Sequence, residues 1–535
     1  MIVPTPRDEP MIEDPEAIDS GENHYDAIVV GSGMGSLTTA SILASVGKKR
    51  VLVLESHFKL GGFLHSFRRK KYVWDPGVHY IGEMQDGSMT RRCMDLVTGG
   101  AVQWHQMDSP FETFMFPGES FGVDSDPKKF EQDLIDRFPD EVRNIKKYFK
   151  DLKSIQGWTP RWFMSKQFSG LIAWLLCLGK GLALKNTREY MEARFDDPLL
   201  RAILTAQWPD YGTPPAKSAF GVHATVQADF LNGGYYPIGG SQAIADSAVK
   251  VIESYGGKCM VRSPVQEILI RKNQAYGVSV ETKNGDETYT APMIVSGAGA
   301  GTTFDKLVHA PFGQQERAKL KGVQNGTSAV VLFLGLNDDP RSHGFTDTNY
   351  WLYERLDYDK PGVDANGDPL LVDGGFLSFG SIRNPGQEPH TAQIVCFSEE
   401  AEWVEYADKP WLKRGEDYDR RKHELAEAMI DFAEERLPGL RKLIDYQELA
   451  SPLTFKTFTG HSGGAIYGQE SDKNRLLRDQ WRIGTSVENL YLTGTDLGVP
   501  GVNSALMAGV MTAGKLLGWF GTARVMSRVY SKAKN

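Results

Sequence analysis

The stretch YDAIVVGSGMGSLTTASILASVGKKRVLVLE, Tyr25 to Glu55, decides how this chain is read. It begins with an apolar, β-branched run, Tyr25 to Val30, of the kind that forms a strand buried on both faces. The turn Gly31-Ser-Gly-Met-Gly-Ser36 follows, then a helical pattern with Leu37, Ala40, Leu43 and Ala44 on one face and Gly47 as its stop. A second strand, Arg50 to Leu54, closes on Glu55. Strand, glycine turn, helix, strand and acid in this register form the βαβ unit that holds a dinucleotide. Gly31 permits the tight turn, and Gly33 lets a pyrophosphate reach the free N–H groups at the helix start. Gly35 belongs to the same turn. Ser36 stands where a third glycine is usual, a position that needs only a small residue for packing. Glu55 is placed to bond a ribose 2′-hydroxyl and to repel a 2′-phosphate.

This turn serves NAD and FAD alike, so the rest of the chain has to choose. Gly61-Gly62, just past the second strand, lets backbone pass a long cofactor. Far away, Leu490 to Thr493 reads as another buried strand leading into Gly494-Thr-Asp496. The small-residue segment Gly498 to Leu517 then reads as a loop and helix whose start, at Val502 and Asn503, can face a flavin carbonyl. Asp496 is placed for the ribityl chain, and no second nucleotide fingerprint is present. The cofactor expected is FAD.

Bulk properties narrow the partners. The 535 residues exceed one small core, and a formal net charge of -8 argues against nucleic acid. Cys93, Cys177, Cys259 and Cys396 lie too far apart for a zinc or disulfide framework, which suits a reducing compartment. No metal site is expected. Residues 1–24 carry seven acidic side chains against Arg7 and read as a solvated tail without a signal peptide. Arg68-Arg-Lys-Lys71 reads as the turn of a hairpin between Phe63–Phe67 and Tyr72–Trp74.

Further motifs support a family resemblance. They are Trp74-Asp-Pro-Gly-Val-His-Tyr-Ile-Gly82, Ser218-Ala-Phe-Gly-Val-His223, Gly233-Gly-Tyr-Tyr-Pro-Ile-Gly-Gly-Ser241, Ser451-Pro-Leu-Thr454 and Asn489-Leu-Tyr-Leu-Thr-Gly494. Together with Gly31 to Gly62, they resemble the phytoene desaturase and carotenoid isomerase group of FAD proteins, most nearly its retinol saturase branch. The likeness runs from about residue 25 to about 520. Ile238 departs from that branch, which commonly has a basic residue there.

The resemblance implies an α/β architecture: an FAD-binding Rossmann-type domain from segments 25–95, 231–305 and 470–520, with an inserted α+β substrate domain from 96–230 and 306–469. Residues 521–535 are expected as a basic tail. Val265, in a strand-like stretch from Val261 to Ile270, would offer backbone to the adenine, and Gly299 would end a buried strand beside the cofactor. The implied activity is saturation of a C=C bond in a polyene or isoprenoid lipid, such as a retinoid or carotenoid, with an external electron donor left open. Desaturation or cis–trans isomerisation on the same flavin remains an alternative, as does flavin-free prenyl binding of the GDP-dissociation-inhibitor kind.

Such a reaction needs a hydride and often a proton. His79, Tyr80, His223 and Tyr236 are the candidate proton donors, with His461 on a nearby glycine-rich loop. Residues 161–188 lack acids and carry Arg161, Lys166, Lys180, Lys185 and Arg188 around the apolar run 170–184, with Trp162 and Trp174. That composition predicts an interfacial helix on an anionic bilayer, and residues 515–535 repeat the basic bias. No run is long enough to cross a membrane. Peripheral association on the cytoplasmic side is expected.

Overall fold

The apolar runs Ala27–Val30 and Val51–Leu54 bury every side chain and pair in parallel. They sit at the centre of a five-stranded parallel sheet in the order Leu490–Leu492, Ile294–Ser296, Ala27–Val30, Val51–Leu54, Lys258–Met260. Segments far apart in sequence thus build one sheet. The computed structural model describes residues 23–283, 285–363, 366–477 and 481–531. Most of the acidic stretch 1–24 and the last basic residues, Lys532 and Lys534, fall outside the described residues.

The helix after the glycine turn, Met34–Ser45, was expected to bury one face. It is buried all round from Met34 to Ala44, because helices Gln242–Ser254 and Val502–Leu516 pack on its other sides. The strand expected over Val261–Ile270 is split. Lys258–Met260 extends the parallel sheet, Arg262 turns with φ 50°, and Val265–Arg271 starts a separate antiparallel meander.

A second, seven-stranded mixed sheet draws on the intervening segments, in the order 444–450, 329–336, 391–397, 374–378, 349–353, 112–116, 119–123. Its strand Ala329–Leu336 is buried throughout. Val330, Leu332 and Leu334 enter one core, while Ala329, Val331 and Phe333 enter another on the opposite face. The hairpin Phe67–Arg69/Tyr72–Trp74, turning at Lys70-Lys71, packs on the seven-stranded sheet: Trp74 Nε1 donates to Leu334 O at 3.0 Å. Its first strand is shorter than expected because Gly62–Leu64 form a tight helical turn.

The segment 161–188 is not one interfacial helix. Helix Val142–Ser165 ends there, a short helix spans Gly170–Leu176, and turns follow. Gly521–Ser531 is a helix rather than a loose tail, anchored by buried Val525 and Val529. No helix among the described residues is long and apolar enough to cross a membrane.

Candidate functional site

A single cavity of about 650 Å³ runs from the glycine turn of the parallel sheet to the wall of the seven-stranded sheet. At one end it is lined by Gly31, Ser32, Gly33, Gly35, Ser36 and Glu55. Gly31 has φ +88°, which a Cβ would strain. A Cβ on Gly33 would meet nothing within 4 Å, so the space over the helix start is open. A Cβ on Gly35 would lie 2.7 Å from the Gly494 backbone, so this glycine lets the C-terminal turn close on the first helix. Ser36 fits in place of the usual glycine because Gly297 stands opposite: a Cβ there would lie 1.9 Å from Ser36 Oγ. The Ser36 hydroxyl is buried without a hydrogen-bond partner among the described residues.

Ser32, which the sequence reading did not single out, ties the nucleotide end together. Its Oγ donates to Glu55 Oε2 at 2.6 Å and accepts from Gly61 N at 2.9 Å, and its backbone N–H donates to the same carboxylate oxygen at 2.9 Å. Two helix starts face the cavity, Gly33-Met34 and Gly501-Val502, and neither has a side-chain cap. Free N–H groups at two helix starts, an open glycine floor, an orphaned hydroxyl and a buried carboxylate fit a flavin dinucleotide. Among the other expected contacts, Gly61, Gly62, Gly494 and Val502 line the cavity. Val265, Gly299, Asp496 and Asn503 stand outside the lining. Asp496 Oδ2 accepts from Ala300 N at 2.7 Å, beside Gly299, and Asn503 Nδ2 donates to Gly82 O at 3.0 Å. Val265 pairs with Val280 in the meander.

The two most specific sequence motifs meet behind the cavity lining, to which they contribute only Pro76 to His79. Ile81 and Tyr235 exchange backbone hydrogen bonds of 2.8 and 2.9 Å. Asp75 accepts from Ser66 Oγ at 2.6 Å, from Ser241 N at 2.7 Å and from the Tyr236 hydroxyl. Tyr236 is therefore an anchor behind the lining, and burial beside Asp75 raises its pKa well above the usual value. His79 does line the cavity, with Nδ1 3.0 Å from Ser378 Oγ and its ring against Phe376. Burial, and secondarily the Arg383 charge, lower its pKa to about 3, so it is neutral at physiological pH. Arg383 is fully buried and donates to His79 O at 2.7 Å, Asp347 O at 2.8 Å and Asn349 Oδ1 at 2.6 Å.

His223 is placed elsewhere. It sits in the core with its ring nitrogens 3.1 Å from the Tyr148 hydroxyl and 3.2 Å from the Tyr211 hydroxyl, and burial lowers its pKa to about 3. The helix Phe220–Phe230 that carries it is buried on nearly all sides, so the motif is a packing element. Tyr80 also lies behind the lining, donating to Asp210 Oδ2 at 2.6 Å. His461 lines the cavity, its ring near Phe63.

The far end is aromatic, with Trp208, Trp351, Tyr353, Phe376 and Phe397 in the lining. Two acids line this end: Asp373, which is paired with Arg355, and Asp210. Desolvation raises the pKa of Asp210 to about 7, against the hydrogen bond from Tyr80 that favours the carboxylate. Neither Asp210 nor Arg383 lies in a recognisable sequence pattern.

The whole arrangement matches a known family. Residues 37–517 match the model of the flavin-containing amine oxidoreductases. The chain belongs to that family. It is an FAD-dependent oxidoreductase with the family's Rossmann-type fold. The FAD protein is 31% identical over 526 residues to all-trans-retinol 13,14-reductase of Macaca fascicularis, covering 92% of this chain and 85% of that one. Prolycopene isomerase 2 of an Oncidium hybrid cultivar is 27% identical, over 91% of this chain and 83% of its own. A solved oxidoreductase from Methanosarcina mazei superposes with a TM-score of 0.60 at 14% identity, covering 90% of this chain and 98% of that chain, a likeness of fold.

Proposed function

We propose that this flavoenzyme reduces a C=C double bond of a polyene or isoprenoid lipid, with FAD at the glycine-turn end and the substrate at the aromatic end. The observation that carries the reading is the single cavity joining the two ends. Similarity to a retinol reductase and a prolycopene isomerase supports a polyene as the substrate class. FAD in its reduced form supplies hydride. Gly31, Gly33, Gly35 and Ser36 would cradle the dinucleotide, with Glu55 on the ribose and Gly61-Gly62 against the flavin. Gly494 and Val502 would close the site from the C-terminal side, with Asp496, Asn503 and Gly299 behind them, while Val265 in the meander lies outside the lining. The aromatic wall excludes water and aligns a flat, extended chain. In the test, protein purified with FAD is reduced anaerobically and mixed with retinoids and carotenoids. Return of oxidised-flavin absorbance with at least one of them is expected; persistent reduced flavin with every polyene would overturn the reading.

Membrane contact belongs to the same proposal, through an apolar patch. Helix Gly170–Leu176 exposes Leu171 (69%) and Trp174 (59%), and the turn before the last helix exposes Trp519 (94%) and Phe520 (77%). The two are neighbours, because Gln167 Nε2 donates to Thr522 Oγ1 at 2.9 Å and Lys515 Nζ to Gln167 O at 2.6 Å. The charge argument is narrower than the sequence suggested. Arg188 pairs with Asp357 and Asp359, and Lys166 and Trp162 are buried. Arg524 and Arg528 stay exposed near the patch. The double variant Trp519→Ala, Phe520→Ala is expected to weaken binding to anionic liposomes by about 100-fold, the loss of two buried aromatic side chains. Unchanged sedimentation with liposomes would refute the contact.

A further inference from the structure

Beneath the cavity wall lies a chain of oriented hydrogen bonds that ends on a carboxyl group. Gln227 Nε2 donates to Gln207 Oε1 at 2.7 Å, which aims the Gln207 amide N–H groups away. These N–H groups donate to the Tyr80 hydroxyl at 3.2 Å and to Glu112 Oε1 at 3.1 Å. With its oxygen occupied, Tyr80 turns its own hydrogen to Asp210 Oδ2 at 2.6 Å. Asp210 Oδ1 has no hydrogen-bond partner among the described residues, and Asp210 lines the cavity. When this carboxyl is neutral its proton therefore stands on Oδ1, the one oxygen not held by Tyr80.

We propose that Asp210 is the catalytic proton donor of this site, and that Tyr80, Gln207 and Glu112 are positioning residues that keep its proton on Oδ1. The proposal rests on the reduction reading above. In the step, the π bond breaks as one carbon receives hydride from reduced flavin. The electron pair left on the other carbon takes the proton from Asp210 Oδ1, so an O–H bond breaks and a C–H bond forms. The substrate gains two electrons and two hydrogens, the flavin ends oxidised, and Asp210 ends as a carboxylate that solvent reprotonates.

The surroundings favour a neutral Asp210. Its charge is felt by Glu112, Tyr80, Tyr211, Tyr353 and Tyr467, none of them a cation. The buried cation Arg383 spends its guanidinium on Asp347 O, Thr348 O, Asn349 Oδ1 and His79 O. Of the cations that line the cavity, Arg355 is paired with Asp373, and Lys306 is the other. Glu112 accepts from Gln207, Asn349 and Trp351, and burial, then the Asp210 charge, raise its pKa to about 8. Among the rival donors, His79 is neutral and bonded to Ser378, Tyr80 and Tyr236 are pushed well above the usual tyrosine value and lie behind the lining, and His461 has Nδ1 held at Ala465 O at 2.9 Å.

Two readouts test this on the FAD-loaded protein. Infrared spectra of the oxidised, substrate-free enzyme, taken as wild type minus Asp210→Asn from pH 5 to 9, are expected to show a protonated-carboxyl C=O band. That band is lost as pH rises through about 7, and Tyr80→Phe should shift its frequency and midpoint. Dithionite-reduced Asp210→Asn mixed with a polyene that reoxidises wild type is expected to react at least about 100-fold more slowly. Its binding of the same polyene, read from perturbation of the oxidised-flavin spectrum, should stay within a few-fold. An Asp210 ionised across the whole range, or Asp210→Asn reoxidised at the wild-type rate, overturns the proposal. If wild type is reoxidised by no polyene while the infrared band is present, the reduction reading fails and the proton on Asp210 is upheld.

Discussion

Gly33→Asp is expected to fold as well as the natural protein and to purify without flavin. The backbone at this position, φ -63° and ψ 171°, suits any residue, and a Cβ would meet nothing within 4 Å. Aspartate also caps a helix start better than glycine does, by a few tenths of a kcal/mol, so the protein fold bears no cost. What changes is the open space over the first helix. A carboxylate there takes the N–H groups meant for a pyrophosphate and repels its charge, and FAD affinity is expected to fall by about 1000-fold, about 4 kcal/mol. The measurement is flavin absorbance per protein after purification, beside the thermal midpoint of the FAD-free forms. Gly35→Val makes the contrast. Its side chain would press on the Gly494 backbone 2.7 Å away, so that variant is expected to lose stability rather than flavin alone. A yellow Gly33→Asp protein with full FAD content would remove the basis for placing the cofactor.

Arg383→Met carries the second large effect, and it falls on stability. Arg383 donates to Asp347 O at 2.9 and 2.8 Å, Thr348 O at 3.2 Å, Asn349 Oδ1 at 2.6 Å and His79 O at 2.7 Å, all with the side chain fully buried. Removing it strands these oxygens away from water, each at a cost of about 1 kcal/mol or more, for a total of about 3–5 kcal/mol. It also frees His79 and the lining segment that precedes it. The comparison is Arg441→Met, whose pairs with Glu427 and Asp431 are exposed and worth less than about 1 kcal/mol. Urea unfolding of both variants should show a large midpoint loss for Arg383→Met and almost none for Arg441→Met. Equal midpoints would show that the buried guanidinium does not hold the cavity wall.

The nucleotide end was legible because local sequence dictates it. A buried strand, Gly31, Gly33 and Glu55 have fixed spacing along the chain, and the turn needs no distant partner to be recognised. Ser36 is the exception within that unit, since its tolerance depends on Gly297, more than two hundred residues away. The motif around His79 and the motif around Tyr236 were each visible, but their meeting through Ile81 and Tyr235 was not. Burial then set the candidate proton donors apart from what their sequence showed. His223 looked reactive in sequence and is a core residue between two tyrosines, whereas Asp210 sits in an unremarked Trp-Pro-Asp-Tyr segment. The same holds at the surface, where basic composition drew attention to Arg188 and Lys166, and folding consumed both. Trp519 and Phe520 are plain aromatics in sequence, and only their exposure marks them.

The most direct test of the account is the mass of the product formed in a single anaerobic turnover of the reduced enzyme. A polyene that returns two hydrogens heavier, one molecule for each flavin reoxidised, is the predicted result. A polyene of unchanged mass and altered geometry with the flavin still reduced, or one lighter by two hydrogens formed by the oxidised enzyme alone, would contradict it.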